Sequence, residues 1–311
     1  MGSRSERVLI TGGAGFTGRP LAERLQQDGH DVVSLSHHVD DPRALNVDLC
    51  DFDAITPALT QICPSAIVHL AGIASPTHSK IGEMYAANVV GTANLLAALG
   101  IAKIEPTIVI VASSAQVYAV PNATALPITE DCPLAPKTHY AVSKHATEEI
   151  AAIYSRQFPI VITRPFNYSG PGQATSFLVP KIVQHYAERR SEIHLGNLDL
   201  YRDLSDVGRV VEAYSRLLSR SIGPTTVNIC SGRAVYLADI LKIMDDISGH
   251  SIRPVTDPSL FRPDEPRSVI GSPARLEALI GPLPNPAIRE TLTRMYDAFR
   301  SREWPSAIRS Q

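Results

Sequence analysis

Arg7-Val8-Leu9-Ile10-Thr11-Gly12-Gly13-Ala14-Gly15-Phe16-Thr17-Gly18 stands almost at the start of the chain. A short apolar run leads into a turn where Gly12, Gly15 and Gly18 recur every third position, and Leu21 and Leu25 then share one face of a helix-like segment. Strand, glycine turn and helix in that order make a phosphate-binding unit. Small residues let the backbone turn sharply and approach a pyrophosphate, whose charge rests on the helix N-terminus. The stretch predicts the first βα unit of a dinucleotide-binding sheet, with Gly12, Gly15, Phe16, Thr17 and Gly18 against the cofactor. A plain glycine-rich loop has the same local pattern, so the reading leans on the residues downstream.

The downstream chain repeats the unit. Apolar runs at 32–35, 66–70, 108–112 and 160–163 alternate with helix-like segments at 18–27, 53–62, 84–99 and 140–158. Near-continuous runs of this kind suit parallel strands covered on both faces. The expected fold is α/β, a doubly wound parallel Rossmann sheet with a smaller C-terminal substrate-binding lobe. After Pro165 the texture changes: Pro and Gly cluster at 169–172, 261–263 and 281–284, and shorter helices are expected at 177–189, 206–218, 237–247 and 285–299. A further apolar run at 226–230 is expected to rejoin the main sheet. The cofactor domain is placed at 1–168 plus about 204–235, and the substrate lobe at about 169–203 and 236–311.

Bulk properties narrow the function. An apolar fraction of 44%, a charged fraction of 19% and a formal charge of −2 in 311 residues suit a globular protein with no basic footprint for nucleic acid. Gly, Pro or charge breaks the apolar runs short of a bilayer span, so no membrane partner is expected. A first strand this close to Met1 leaves no room for a secretory segment, and the four cysteines form no spaced framework. A cytoplasmic setting is the expectation.

The second strand ends in Ser36, followed by His37 and His38, where an NAD-selective site places an acid for the ribose hydroxyls. Without that carboxylate a 2′-phosphate is not repelled, and Ser36 and His37 can donate to it. NADP(H) is the expected cofactor, with NAD(H) as the alternative; a solvated loop is the competing reading of the histidines. Adjacent histidines chelate poorly and no third ligand is evident, so no metal is expected.

Tyr140 and Lys144 lie four apart in Thr138-His139-Tyr140-Ala141-Val142-Ser143-Lys144, one turn apart on one helical face. An ammonium about 4 Å from a phenol, at an effective dielectric near 20, is worth roughly 4 kcal/mol and lowers a phenol pKa of about 10 by up to about three units. Such a tyrosine exchanges protons near neutral pH. Ser114 lies just past the run 108–112, on the sheet edge where ligand groups gather.

With these motifs in order, the chain resembles the extended short-chain dehydrogenases/reductases that act on nucleotide sugars. The resemblance rests on 11–18, His69-Leu70-Ala71-Gly72, Asn88-Val89-Val90-Gly91-Thr92, Ser113-Ser114-Ala115-Gln116-Val117-Tyr118 and 140–144. It implies Ser114, Tyr140 and Lys144 as catalytic residues, with Ser113 the lesser candidate for the hydroxyl. It implies Asp48 and Leu49 beside the adenine, Leu70, Ala71 and Gly72 along the cofactor, and Asn88 as a structural residue. One departure is His139, where relatives usually carry proline.

In the C-terminal half, 164–173, 196–203, 228–232 and 262–266 resemble GDP-4-keto-6-deoxy-mannose reductases, which form GDP-rhamnose. That likeness implies Asn167, Arg202 and Arg262 as the residues that hold a GDP-sugar or other nucleotide sugar. A salt bridge from Arg202 to Asp203 or Asp206 is the competing reading. Ala115 and Gln116 stand where a 4,6-dehydratase carries an acid pair, which favours simple 4-keto reduction. The alternatives are an NAD-dependent nucleotide-sugar 4-epimerase and a cofactor-binding regulatory protein without activity. The resemblance also implies a homodimer through a four-helix bundle of the helices at 84–99 and 140–158.

Overall fold

The structure, a computed structural model, describes residues 6–36, 44–74, 80–119, 127–261, 265–301 and 304. His37, His38 and Arg262 lie outside the described residues. The chain forms strands β1 (Arg7–Thr11), β2 (Asp31–Ser36), β3 (Ala44–Asn46), β4 (Ala66–His69), β5 (Ile108–Ala112) and β6 (Ile160–Pro165). Helices α1 (Gly18–Gln27), α2 (Phe52–Ile62), α3 (Ile81–Tyr85), α4 (Gly91–Ile101) and α5 (His139–Tyr154) alternate with them. The remainder holds β7 (Asn167–Ser169), α6 (Leu178–Ala187), β8 (Glu192–Leu195), β9 (Tyr201–Asp206), α7 (Val207–Leu218) and β10 (Thr225–Ile229). It closes with β11 (Ala234–Tyr236), α8 (Leu237–Ser248), β12 (Arg253–Thr256), β13 (Ser268–Val269), α9 (Ala274–Ile280) and α10 (Ile288–Arg300).

Seven parallel strands in the order β10-β6-β5-β4-β1-β2-β3 make the central sheet, the expected doubly wound fold. The two-residue period of a strand sorts β1 cleanly. Val8 and Ile10 face a core that includes α1, α7 and α9, whereas Leu9 faces α2, α4 and α5. From β1 the chain runs to β2 and β3 on one side, then crosses to β4 on the other. The crevice therefore opens between the C-terminal ends of β1 and β4, where Thr11 pairs with His69.

The expected helix at 84–99 is interrupted. It starts at Ile81 as α3, widens into a π-helical turn over Ala86–Val90, and resumes as α4. Within that turn the Asn88 carbonyl accepts from the hydroxyls of Thr92 at 2.6 Å and Thr147 at 3.0 Å. By length and composition 81–101 is apolar enough to cross a bilayer, contrary to the expectation that no run is. Here Leu95, Leu96 and Leu99 are buried in the core beneath the sheet. Helix α5 ends at Tyr154, short of the expected Phe158.

A third core joins α6, α8 and α10 through Ile182, Tyr186, Ile240, Met244, Leu292 and Met295. Beside it β11, β9 and β13 form a small sheet, with β7 paired to β9. Three of these strands are only two or three residues long and the fourth, β9, is charged, so none shows in the hydropathy pattern.

Candidate active site

The glycine turn fits tightly under β4. Gly12 takes φ +73°, and a Cβ there would sit 2.8 Å from the Ala71 nitrogen. The turn can run this close to the Leu70–Ala71 backbone only without a side chain. The Thr11 hydroxyl accepts from the Ala71 N–H at 3.2 Å and meets His69 Nδ1 at 2.7 Å. Because the Thr92 hydroxyl gives its proton to the Asn88 carbonyl, it accepts from His69 Nε2 at 2.9 Å, which leaves Nδ1 to accept from Thr11. Burial, aided by the charge of Lys144, lowers the His69 pKa to about 3 and keeps the ring neutral.

Gly72 takes φ +151°, and a Cβ there would lie 2.5 Å from Asn88 Oδ1 and 3.6 Å from Lys144 Nζ. The bare backbone brings three elements to one point. Asn88 Oδ1 accepts from Ile73 N at 2.7 Å, and its amide donates to the Ser143 hydroxyl at 2.9 Å. On the far side Thr138 caps α5 by accepting from Ala141 N at 3.1 Å, which sets the first turn that carries Tyr140.

Tyr140 and Lys144 are both buried. The phenol is pushed up to about 12 by burial, against which a hydrogen bond with Ser114 works. This reverses the expected lowering. Desolvation dominates here, and Lys144 Nζ donates to the Ala112 carbonyl at 2.8 Å. Burial lowers Lys144 itself to about 8, with the Glu148 carboxylate holding it up. At neutral pH the phenol keeps its proton, the state a general acid needs.

Two adjacent serines divide their roles. Ser114 is directed to Tyr140 and accepts from Gln116 N at 3.2 Å. Ser113 donates to Glu148 Oε1 at 2.5 Å. Glu148 in turn receives both sides of the Arg164 guanidinium, at 2.8 and 2.6 Å. Arg164 reaches Tyr118 at 3.0 Å, and Tyr118 donates to Asn228 at 2.7 Å. This buried network ties β5, α5, β6 and β10 together behind the site. Sequence reasoning missed it, although Glu148 stands one turn beyond Lys144 on the same face.

The remaining expected residues are spread around this centre. Phe16 and Thr17 lie against Tyr168, and Ser36 ends β2 opposite Asn46. Asp48 accepts from Cys50 N at 2.8 Å, and the buried Leu49 passes its carbonyl to Asn94 at 2.9 Å. Asn167 is exposed on β7, opposite Leu204 and two residues along β9 from Arg202. Arg202 pairs with Glu265 at 2.9 Å, not with Asp203 or Asp206. Those acids are engaged elsewhere: Asp203 by Ser231 and Gly232, Asp206 by Gly208, Thr291 and Arg294. Close by in sequence, a cavity of about 290 Å³ is lined by 195–198, 254–256 and Phe261.

A profile of the NAD dependent epimerase/dehydratase family matches residues 8–230. The chain belongs to that family. The match runs from β1 to the residue after β10, so it takes in the whole central sheet and the Ser114, Tyr140 and Lys144 positions. A GDP-6-deoxy-D-talose 4-dehydrogenase from Aggregatibacter actinomycetemcomitans is 31% identical, over 88% of this chain and 91% of that one. A GDP-6-deoxy-D-mannose reductase from Pseudomonas aeruginosa is 30% identical over 99% of this chain and 100% of its own. The structure of RMD from Pseudomonas aeruginosa complexed with NADPH superposes with a TM-score of 0.86 at 29% identity, covering 96% of this chain and 100% of that one. A crystal structure from Burkholderia cenocepacia J2315, provisionally assigned as an epimerase, gives 0.88 at 42% identity, with coverages of 96% and 99%.

Proposed function

We propose that the chain is an NADPH-dependent 4-ketoreductase that converts GDP-4-keto-6-deoxy-D-mannose to GDP-D-rhamnose. The observation that carries this is Ser114 directed to the buried Tyr140, with Lys144 one helical turn on and beside Gly72, while Ala115 and Gln116 offer no carboxylate for eliminating water. The two curated relatives support it, since both are named for redox chemistry on a GDP-linked 6-deoxyhexose, one of them at position 4.

The cradle fits a dinucleotide: Gly12 leaves backbone where a Cβ would collide, and the α1 N-terminus opens beside it. Gly12, Gly15, Phe16, Thr17 and Gly18 hold the pyrophosphate; Asp48 and Leu49 flank the adenine; Leu70, Ala71 and Gly72 line the way to the nicotinamide. When bound, the cofactor supplies hydride to C4 of the sugar. Tyr140 gives its proton to the oxygen on C4, and Ser114 hydrogen-bonds the same oxygen as charge develops there. Lys144 supplies positive charge beside the ribose. Arg202 serves the diphosphate with a planar fork suited to it, once Glu265 yields it. The cavity lined by 195–198, 254–256 and Phe261 has room for a planar base. Ser36 in place of an acid favours NADPH over NADH. The third core makes the sugar-nucleotide lobe, and the chain dimerises through the face where α4 packs on α5, with Val90, Ile101, Val142 and Ile153 exposed along it.

The test is incubation with NADPH and a panel of 4-keto-6-deoxy nucleotide sugars, reading NADPH consumption and the product's C4 configuration by NMR. GDP-D-rhamnose with stoichiometric oxidation of NADPH is expected. The C4 epimer, GDP-6-deoxy-D-talose, is the second reading, favoured by the Aggregatibacter relative. Conversion of UDP-sugars without added cofactor would replace both with a 4-epimerase. Light scattering reports the dimer.

A further inference from the structure

The opening turn of α1 has no side-chain cap, for a reason written in the sequence. A threonine at this position ordinarily accepts from the N–H of the second or third helical residue. The third is Pro20, which has none, and the second, Arg19, donates to the Gly15 carbonyl at 3.1 Å. Thr17 sits at φ −88°, ψ −34° and its hydroxyl caps nothing. It meets the Tyr168 hydroxyl instead, at 2.8 Å. The residue before it, Phe16, stacks on the same tyrosine with centroids 5.7 Å apart and planes 13° from parallel. Two consecutive residues of the glycine turn thus clasp one ring.

Tyr168 joins the two halves of the site. It stands on β7 beside Asn167, and β7 pairs with β9, which carries Arg202. Its phenol also faces Tyr140 closely enough to raise the pKa of that group, and burial raises its own, so it stays neutral. Anchored to both residues, the ring fixes the turn on which a pyrophosphate charge would rest.

We infer that Tyr168 is a cofactor-positioning residue: it holds the Thr17 hydroxyl and the Phe16 ring so that the glycine turn at the head of α1 keeps the shape that the pyrophosphate of a nicotinamide dinucleotide needs. This rests on the cofactor reading given above.

The test uses the full chain with Tyr168→Phe, Thr17→Val, Thr17→Ser and the Tyr168→Phe/Thr17→Val pair, reading NADPH affinity by calorimetry and the thermal midpoint. A net hydrogen bond predicts that Tyr168→Phe and Thr17→Val each weaken binding roughly three- to tenfold. The double variant is no more than about twofold worse than either, because both remove one interaction. Thr17→Ser, which keeps the hydroxyl, binds like the parent, and all midpoints stay together. Parental affinity in Tyr168→Phe, or losses that multiply in the double variant, would overturn the inference while leaving the cofactor reading intact. A parent chain that binds no nicotinamide dinucleotide would overturn both. If Thr17→Val does not fold, Tyr168→Phe alone decides.

Discussion

Glu148 stands one helical turn beyond Lys144 and receives the Arg164 guanidinium on both carboxylate oxygens, at 2.8 and 2.6 Å. All three side chains are buried, so the acid does two things at once: it neutralises Arg164 and raises the affinity of Lys144 for its proton. Breaking such a pair from one side leaves an uncompensated charge. Arg164→Met or Glu148→Gln alone should cost about 3–5 kcal/mol in urea denaturation, and replacing both with apolar residues should cost clearly less than the sum.

The same geometry sets a pH limit. Burial lowers Lys144 from its ordinary 10.5 to about 8, so its positive charge is lost as pH rises through that value. Tyr140, held up near 12, keeps its proton throughout. The kcat/KM of reduction should therefore fall above about pH 8, and Glu148→Gln should move that limb to lower pH because the group holding the proton is gone. Stability responds in the opposite sense. Between about 8 and 10.5 the unfolded chain binds the proton that the folded chain has released, so Lys144 contributes a rise in stability with pH there.

His69 acts at the acid end. Its folded pKa lies near 3 against an ordinary 6.5, so below 6.5 the unfolded chain takes up a proton that the folded chain refuses. Stability should fall as pH drops from 6.5 toward 3. Denaturation at several pH values should show the gap between the parent and His69→Gln narrowing over that window; a constant gap would rule the assignment out.

Much of this was readable in the residues. Val8, Leu9 and Ile10 alternate between two cores as a doubly wound sheet requires, and the central strands and α1 stand where the pattern put them, except the three-residue edge strand β3. The π-helical turn at Asn88 was not readable, because no local residue pattern marks it and its carbonyl takes a hydroxyl from Thr147, 59 residues on. Strand β9, Tyr-Arg-Asp-Leu-Ser-Asp, buries charge that local hydropathy assigns to a loop. The partner of Arg202 lies 63 residues away and no spacing rule finds it. The direction of the Tyr140 shift needed the burial that only the fold supplies.

The adjacent serines separate by experiment. Ser114→Ala should lower kcat by about 10²–10³-fold, the usual loss for a donor to a developing oxyanion, with little change in stability. Ser113→Ala should instead cost about 1–3 kcal/mol of stability through its buried bond to Glu148, and leave turnover within a few-fold.

Turnover of a 4-keto-6-deoxy GDP-sugar by Tyr140→Phe, with NADPH saturating and sugar-nucleotide binding measured in parallel, bears on the proton donor itself. The phenol is buried, protonated at neutral pH and hydrogen-bonded with Ser114. Its loss should cut kcat by about 10²–10⁴-fold and change the substrate Kd by no more than a few-fold. A variant that turns over at the parental rate would contradict the assignment of Tyr140 as the acid.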